Sequence, residues 1–146
     1  MSARSKILNK LVELLKTIDG TGTFRSDLFN NVFPKLKFWD EVDDYPSVYL
    51  NIGPESRQYL PGGVKWAFLT VNIRIYVNDE EAETRLEEIF EDIETIIDEN
   101  GNLEYDTGYY AEDVRILSIA TDEGLLNPIG VGEVTLQVQY GLDMVC

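Results

Sequence analysis

No histidine occurs in the sequence, and its single cysteine, Cys146, stands at the last position. The first absence removes the commonest general base and the commonest zinc ligand together. The second excludes an intramolecular disulfide, so the fold rests on packing and the chain suits a reducing compartment. Basic residues are scarce: 12 Lys and Arg stand against 27 Asp and Glu, a net charge of −15. That balance disfavours sequence-independent binding to a nucleic-acid backbone, which needs clustered cations. No stretch approaches the roughly 18 apolar residues of a membrane span, and the polar, basic start from Met1 to Lys10 leads into no secretion-type apolar segment. A cytosolic chain without membrane contact is expected. There is no Gly-x-Ser-x-Gly elbow, phosphate loop or dinucleotide fingerprint, so nucleophilic and nucleotide-dependent chemistry lack their usual frames. Neither an enzyme nor a cofactor nor a metal site is expected.

What is present is ordinary for a globular protein. Apolar residues make up 44% and charged ones 27% of 146 residues, enough for one core but not for two of useful size, so residues 1–146 are read as a single domain. The charge is uneven. Residues 1–40 hold seven basic and four acidic side chains, net +3, which leaves −18 for the remainder and suggests opposed electrostatic faces.

Two segments carry a helical period. From about Ser5 to Ile18, Ile7, Leu8, Leu11, Leu14, Leu15 and Ile18 share one stripe, with Asp19 and Gly20 as the stop. From Asp79 to Asp98, Ala82, Leu86, Ile89, Phe90, Ile93, Ile96 and Ile97 form a second stripe, with Asn78 as the expected N-cap and Asn100 and Gly101 as the stop. Between the helices, Asp27 to Phe33 reads as a short helical turn before Pro34.

Four strands are predicted. The first, Ser47 to Ile52, follows Pro46, and Gly53 to Gly63 reads as a long polar loop after it. The second, Val64 to Val77, alternates most clearly: Ala67, Leu69, Val71, Ile73, Ile75 and Val77 face one way, Trp66, Phe68, Thr70, Asn72, Arg74 and Tyr76 the other. The third and fourth, Asp113 to Ala120 and Val131 to Tyr140, should pair as a hairpin, with Val134, Leu136, Val138 and Tyr140 inward. The predicted fold is α+β in the order α-β-β-α-β-β, a mostly antiparallel sheet with two helices on one face.

That packing leaves a sheet face bare. Trp66, Phe68, Arg74 and Tyr76 would stand on it among Thr, Asn and Gln, a mixture that suits a protein interface as well as it suits a solvated face. Arg57 and Tyr59 in the Gly53–Gly63 loop are the other candidate partner contacts. Carboxylates recur at Asp43 with Asp44, Asp98 to Asp106, and Asp122 with Glu123. None fits a cation-binding loop: after Asp98 the glycine comes two places early for an EF-hand and no closing Glu follows, so tight turns explain them better. Asp79 to Glu99 holds eleven acids and one base, Arg85. The plain reading is a solubilising surface; the sharper one is that Glu87, Glu88, Glu91 and Asp92 line a passage or repel DNA.

The ordered set of features resembles the tail-terminator, or tail-completion, proteins of long-tailed bacteriophages, a family that includes the lambda-like minor tail protein U. The resemblance spans nearly the whole chain. It comprises the opening helix with Ile7, Leu11 and Leu14, the Tyr45-Pro46 entry to a strand, and a Gly- and Pro-bounded segment before a long strand. An acidic amphipathic helix follows, then Ile119 to Gly124 leading through Pro128 and Gly130 to Val134–Tyr140. The resemblance implies a virion protein: a hexameric ring that caps the tail tube, ends its polymerisation, meets a head-proximal connector or neck protein on its other face, and lets DNA pass without sequence-specific binding. Competing readings are another head–tail connector, an acidic DNA-mimic inhibitor, and a small-molecule-binding domain or metal-dependent enzyme, the last using Asp122 or Glu123.

Overall fold

The computed structural model describes residues 3–18, 31–35, 45–62, 65–106, 108–122 and 128–141. Helix α1 spans Ala3–Leu15, strand β1 Val32–Phe33, β2 Ser47–Tyr59, β3 Lys65–Asn78, helix α2 Ala82–Glu99, β4 Glu104–Asp106, β5 Tyr109–Thr121 and β6 Ile129–Gly141. The six strands form one sheet in the order β1-β2-β3-β6-β5-β4. Only β1 against β2 is parallel. The mixed α and β class and the predominantly antiparallel sheet agree with the sequence.

The element order differs from the predicted one at two places. Val32 and Phe33, read as part of a helical turn, pair with Val48 and Tyr49 as β1. Glu104–Asp106 adds β4 on the other edge. Residues 27–30 of the expected turn, the helix stop at Asp19 and Gly20, the pair Asp43 and Asp44, and Glu123 lie outside the described residues.

The central ladders are long. β3 pairs with β6 from Trp66↔Gly141 to Asn78↔Ile129, and β2 pairs with β3 from Ser47↔Tyr76 to Tyr59↔Lys65. The second pairing corrects the predicted loop. After a bulge between Ile52 and Glu55, where Gly53 and Pro54 sit, the strand resumes and runs to Tyr59. A bulge on an edge strand is where proline and glycine are tolerated, because no ladder hydrogen bond is required of them.

The inward row of β3 is fully buried, as are Val48 and Leu50 of β2 and Leu136 and Val138 of β6. These rows share one continuous core with Ile7, Leu11 and Leu15 of α1 and Leu86, Ile89, Phe90 and Ile93 of α2. The apolar stripes of both helices therefore serve the purpose their period suggests, removal of branched side chains from water. The first helix ends earlier than expected, at Leu15, and a tightened turn carries Ile18 into the core through hydrogen bonds from Thr17 N to Leu14 O and Ile18 N to Leu15 O.

Helix α2 lies close on β6 because Gly130 and Gly132 leave room. A Cβ on Gly132 would stand 2.7 Å from Phe90 Cζ, and one on Gly130 2.8 Å from Ala82 Cβ. The helix begins after Glu81 and not at Asn78, which closes β3; Asp79 Oδ1 accepts the Glu81 amide at 2.8 Å instead. At the other end Asn100 Nδ2 donates to Ile96 O at 2.8 Å, so a side chain, and no left-handed glycine, terminates it.

Candidate functional site

The six candidate contact residues divide between two faces of the sheet. Trp66, Phe68 and Arg74 stand on the outward row of β3, half-buried opposite Gly141, Gln139 and Glu133 of β6. Arg74 Nη2 donates to Glu133 Oε2 across the ladder at 2.8 Å, which holds the guanidinium pKa above its ordinary value. Arg57 and Tyr59 instead pair opposite Ala67 and Lys65, on the inward row at the far end of β2. There Tyr59 is 63% exposed, with Lys65 Nζ 5.5 Å from its ring centroid.

Tyr76 does not join the outward patch. It is 2% exposed and makes an edge contact with Tyr49, which stacks in turn on Phe33. Together with Tyr45 and Val131 these rings form a second, small core on the outward side. The position of β1 explains the correction: it brings Phe33 over Tyr49, and the aromatic side chains close over one another.

The root of the hairpin is fixed by a buried carboxylate. Glu55, whose side chain is 6% exposed, accepts from Arg57 Nε at 3.0 Å and from the Tyr140 hydroxyl. Burial, and then the neighbouring carboxylate, push the Tyr140 hydroxyl well above the ordinary tyrosine range. Tyr140 also meets Tyr105 edge-on at 6.0 Å, beside the Lys6–Asp106 ion pair of 2.6 Å that ties α1 to β4. Asp106 in turn raises the Lys6 pKa, chiefly by that hydrogen bond.

The acidic helix presents most, but not all, of its carboxylates to solvent. Glu87 and Glu91 are exposed, and Glu88 is half-buried and accepts from Arg85 Nη1 at 3.4 Å. Asp92 is 3% exposed and faces the core side of the helix, three residues after Ile89 and four before Ile96, so it lines no surface. Near the N-terminus of α2 a hollow of about 480 Å³ is bounded by Glu80, Glu81, Glu83, Thr84 and Asp122. Among the described residues no group of three or more His, Cys, Asp or Glu is placed to hold a metal ion. No described helix is long and apolar enough to cross a membrane.

Two aliphatic side chains missed in the sequence are conspicuous. Leu117 is 52% and Ile119 40% exposed, on the outer part of β5. A bulge between Ile116 and Ser118 interrupts the alternation there. The clue in the sequence is the uncharged run Ile116–Thr121, whose β-propensity is high and which lacks the charges that usually guard an edge.

Comparison with known proteins gives these surfaces a context. The model of the family described as bacteriophage tail tube terminator protein matches residues 1–145. The chain belongs to the tail tube terminator family. It is 35% identical over 152 residues to tail tube terminator protein p142 of Escherichia phage T5, covering 96% of this chain and 94% of that one. The fold also matches a chain in the virion of a native gene transfer agent particle, with a TM-score of 0.58, 10% identity and 92% of each chain covered. At that identity the likeness concerns the fold alone. Membership of a structural terminator family agrees with the resemblance read from the sequence.

Proposed function

We propose that this chain is a non-enzymatic virion protein that closes the head-proximal end of a phage tail tube as a hexameric ring. The ring ends tube polymerisation and offers its other face to a head-proximal connector or neck protein. The observation that carries the reading is the family match over residues 1–145 together with 35% identity to a tail tube terminator along nearly the full chain.

The geometry supports the role in three ways. Both helices back the sheet through one core, which leaves the outward row with Trp66, Phe68 and Arg74 for partners. Arg57 and Tyr59 are exposed at the far end of β2, on a stretch that no described strand covers on its outer side, and so are available for contact. The exposed acids of α2, Glu87 and Glu91 among them, suit a lumen through which DNA slides, because repulsion from phosphate prevents tight backbone contacts.

Charge sets a condition on assembly. Six copies at −15 each carry −90, so closure is opposed at low ionic strength and eased by screening. The protein is expected to be monomeric at low salt and to form rings at higher salt or on a tube. The test is tail-tube protein polymerised with and without this chain and viewed by electron microscopy. Tubes that stop growing and bear a ring at one end bear the proposal out; elongation unchanged by saturating protein overturns it.

A further inference from the structure

Both edges of the sheet are left partly open, at opposite ends. Among the described residues β1 covers only Val48 and Tyr49 of β2, so no strand lies against Glu55–Tyr59. On the other edge β4 covers only Tyr109 and Tyr110 of β5. Ala111 N donates to Leu103 O, and Asn102 Nδ2 donates to the carbonyls of Ala111 and Glu112. Beyond Glu112 no described strand lies on the side of β5 away from β6, and Leu117, Ser118, Ile119 and Ala120 are exposed in succession. An edge of this length without Lys or Pro is a template for another strand.

We infer that the open edge of β5 receives the β2–β3 hairpin of a second copy of this chain, so that the sheet continues from subunit to subunit. The inference rests on the ring proposed above and names its contact. Strand direction permits it. Three antiparallel steps separate β2 from β5, so they run oppositely within a subunit. A neighbour that continues the sheet in the same sense then sets its β2 antiparallel to β5. The two open stretches lie at opposite ends of the strands, so the copies must be staggered, as inclined strands are in a barrel.

Charge is complementary across this contact. Residues 53–69 hold Arg57 and Lys65 against Glu55, net +1, leaving −16 for the rest of the −15 chain. The open end of β5 adjoins acids: Thr121 lines a shallow hollow with Glu83 and Glu87, and Asp122 borders the one formed with Glu80 and Glu81. The contact is head-to-tail: the surfaces on the two copies differ, so one copy offers a hairpin and an edge to different neighbours. Such contacts build rings when the rotation closes, and closure removes both open edges at once.

The test uses two double variants of the full chain. Leu117→Lys with Ile119→Lys spoils the β5 edge, and Arg57→Glu with Lys65→Glu spoils the hairpin. Under conditions where wild-type protein forms rings, each variant alone should run as a single subunit with wild-type circular dichroism. An equimolar mixture should give a species of two subunits and nothing larger, since one intact hairpin meets one intact edge. Rings from either variant, or a mixture that stays monomeric, overturn the inference. Should a variant fail to fold, carbodiimide cross-linking of wild-type rings serves instead: links from Lys65 to Glu83, Glu87 or Asp122 of another copy support the contact, and inter-copy links only elsewhere overturn it. Wild-type protein that forms no ring, alone or on tubes, brings down the ring as well, whereas wild-type rings with indifferent variants bring down only this contact.

Discussion

The two halves of β2 share one ladder with β3 and have opposite fates. In the near half Val48 and Leu50 are fully buried, as are Ile75 and Ile73 opposite them; in the far half Ser56, Arg57, Gln58 and Tyr59 are exposed. Backbone pairing is alike in both, so it does not make the difference. Val48 and Leu50 belong to the core shared with both helices, and no residue of β2 after Ile52 does. Among the described residues the far half of β2 has a neighbouring strand on one side only, β3, and it is anchored at its root, where Glu55 meets Arg57 and Tyr140. Stability is concentrated in one half and freedom to bind in the other.

The largest test of that division is Ile73→Ala, opposite Leu50 of the near half. It removes a fully buried side chain from the middle of the core and should cost about 2–5 kcal/mol, read from the urea midpoint. Tyr59→Ala in the far half should leave the midpoint unmoved, and an equal loss at both sites would break the comparison. Next is Gly132→Ala, whose Cβ would press to 2.7 Å on Phe90 Cζ. Helix α2 must shift or Phe90 must leave its rotamer, at a cost of about 1–3 kcal/mol. Phe90→Leu combined with Gly132→Ala should restore part of it, which would locate the strain between these two residues.

How much of this was legible depended on length and period. The alternation of β3 and the stripe of α2 run long enough for each period to declare itself, and the structure buries the expected residues. β1 and β4 are two and three residues long, too short for any period. The far half of β2 was hidden by Gly53 and Pro54, which signal a loop unless a bulge accommodates them. In the candidate site, Asp92 was misplaced although the spacing from Ile89 and to Ile96 already set it on the apolar side of α2. Tyr76 was different: nothing local in the sequence says that Phe33 and Tyr49 will be brought to it by a parallel strand. The open β5 edge depends on which strands become neighbours, and pairing over such distances leaves no local mark.

A smaller effect is expected at the root of the hairpin. Tyr140→Phe removes one donor from Glu55 while Arg57 remains, so the neutral-pH cost should be about 1 kcal/mol. The informative range is alkaline. The folded Tyr140 hydroxyl holds its proton above the ordinary tyrosine range, first through burial and then through Glu55. Its contribution is therefore fully present below about pH 10, where the unfolded residue titrates. Above that the unfolded chain loses a proton the folded one keeps, and stability falls as pH rises. Tyr140→Phe should flatten this decline in denaturant titrations above pH 10; an unchanged decline would assign it to Tyr76 and Tyr105, whose hydroxyls burial also raises.

The sharpest change in function is expected from alanine at Arg57 and Tyr59 together. Both residues stand on the exposed far half of β2, with Tyr59 63% exposed, so circular dichroism should match the wild type, while loss of the Arg57–Glu55 ion pair should lower the thermal midpoint slightly. The exposed Tyr59 contributes little to folding, yet aromatic and arginine anchors dominate contact energies. Tube capping should therefore weaken while the fold is untouched, read as the fraction of tubes that bear a terminal ring at fixed protein concentration. Normal capping by this variant would mean that the far half of β2 has no partner that matters. The contrast between the two halves would then reflect exposure alone, and the search for the contact would move to the outward row of Trp66, Phe68 and Arg74.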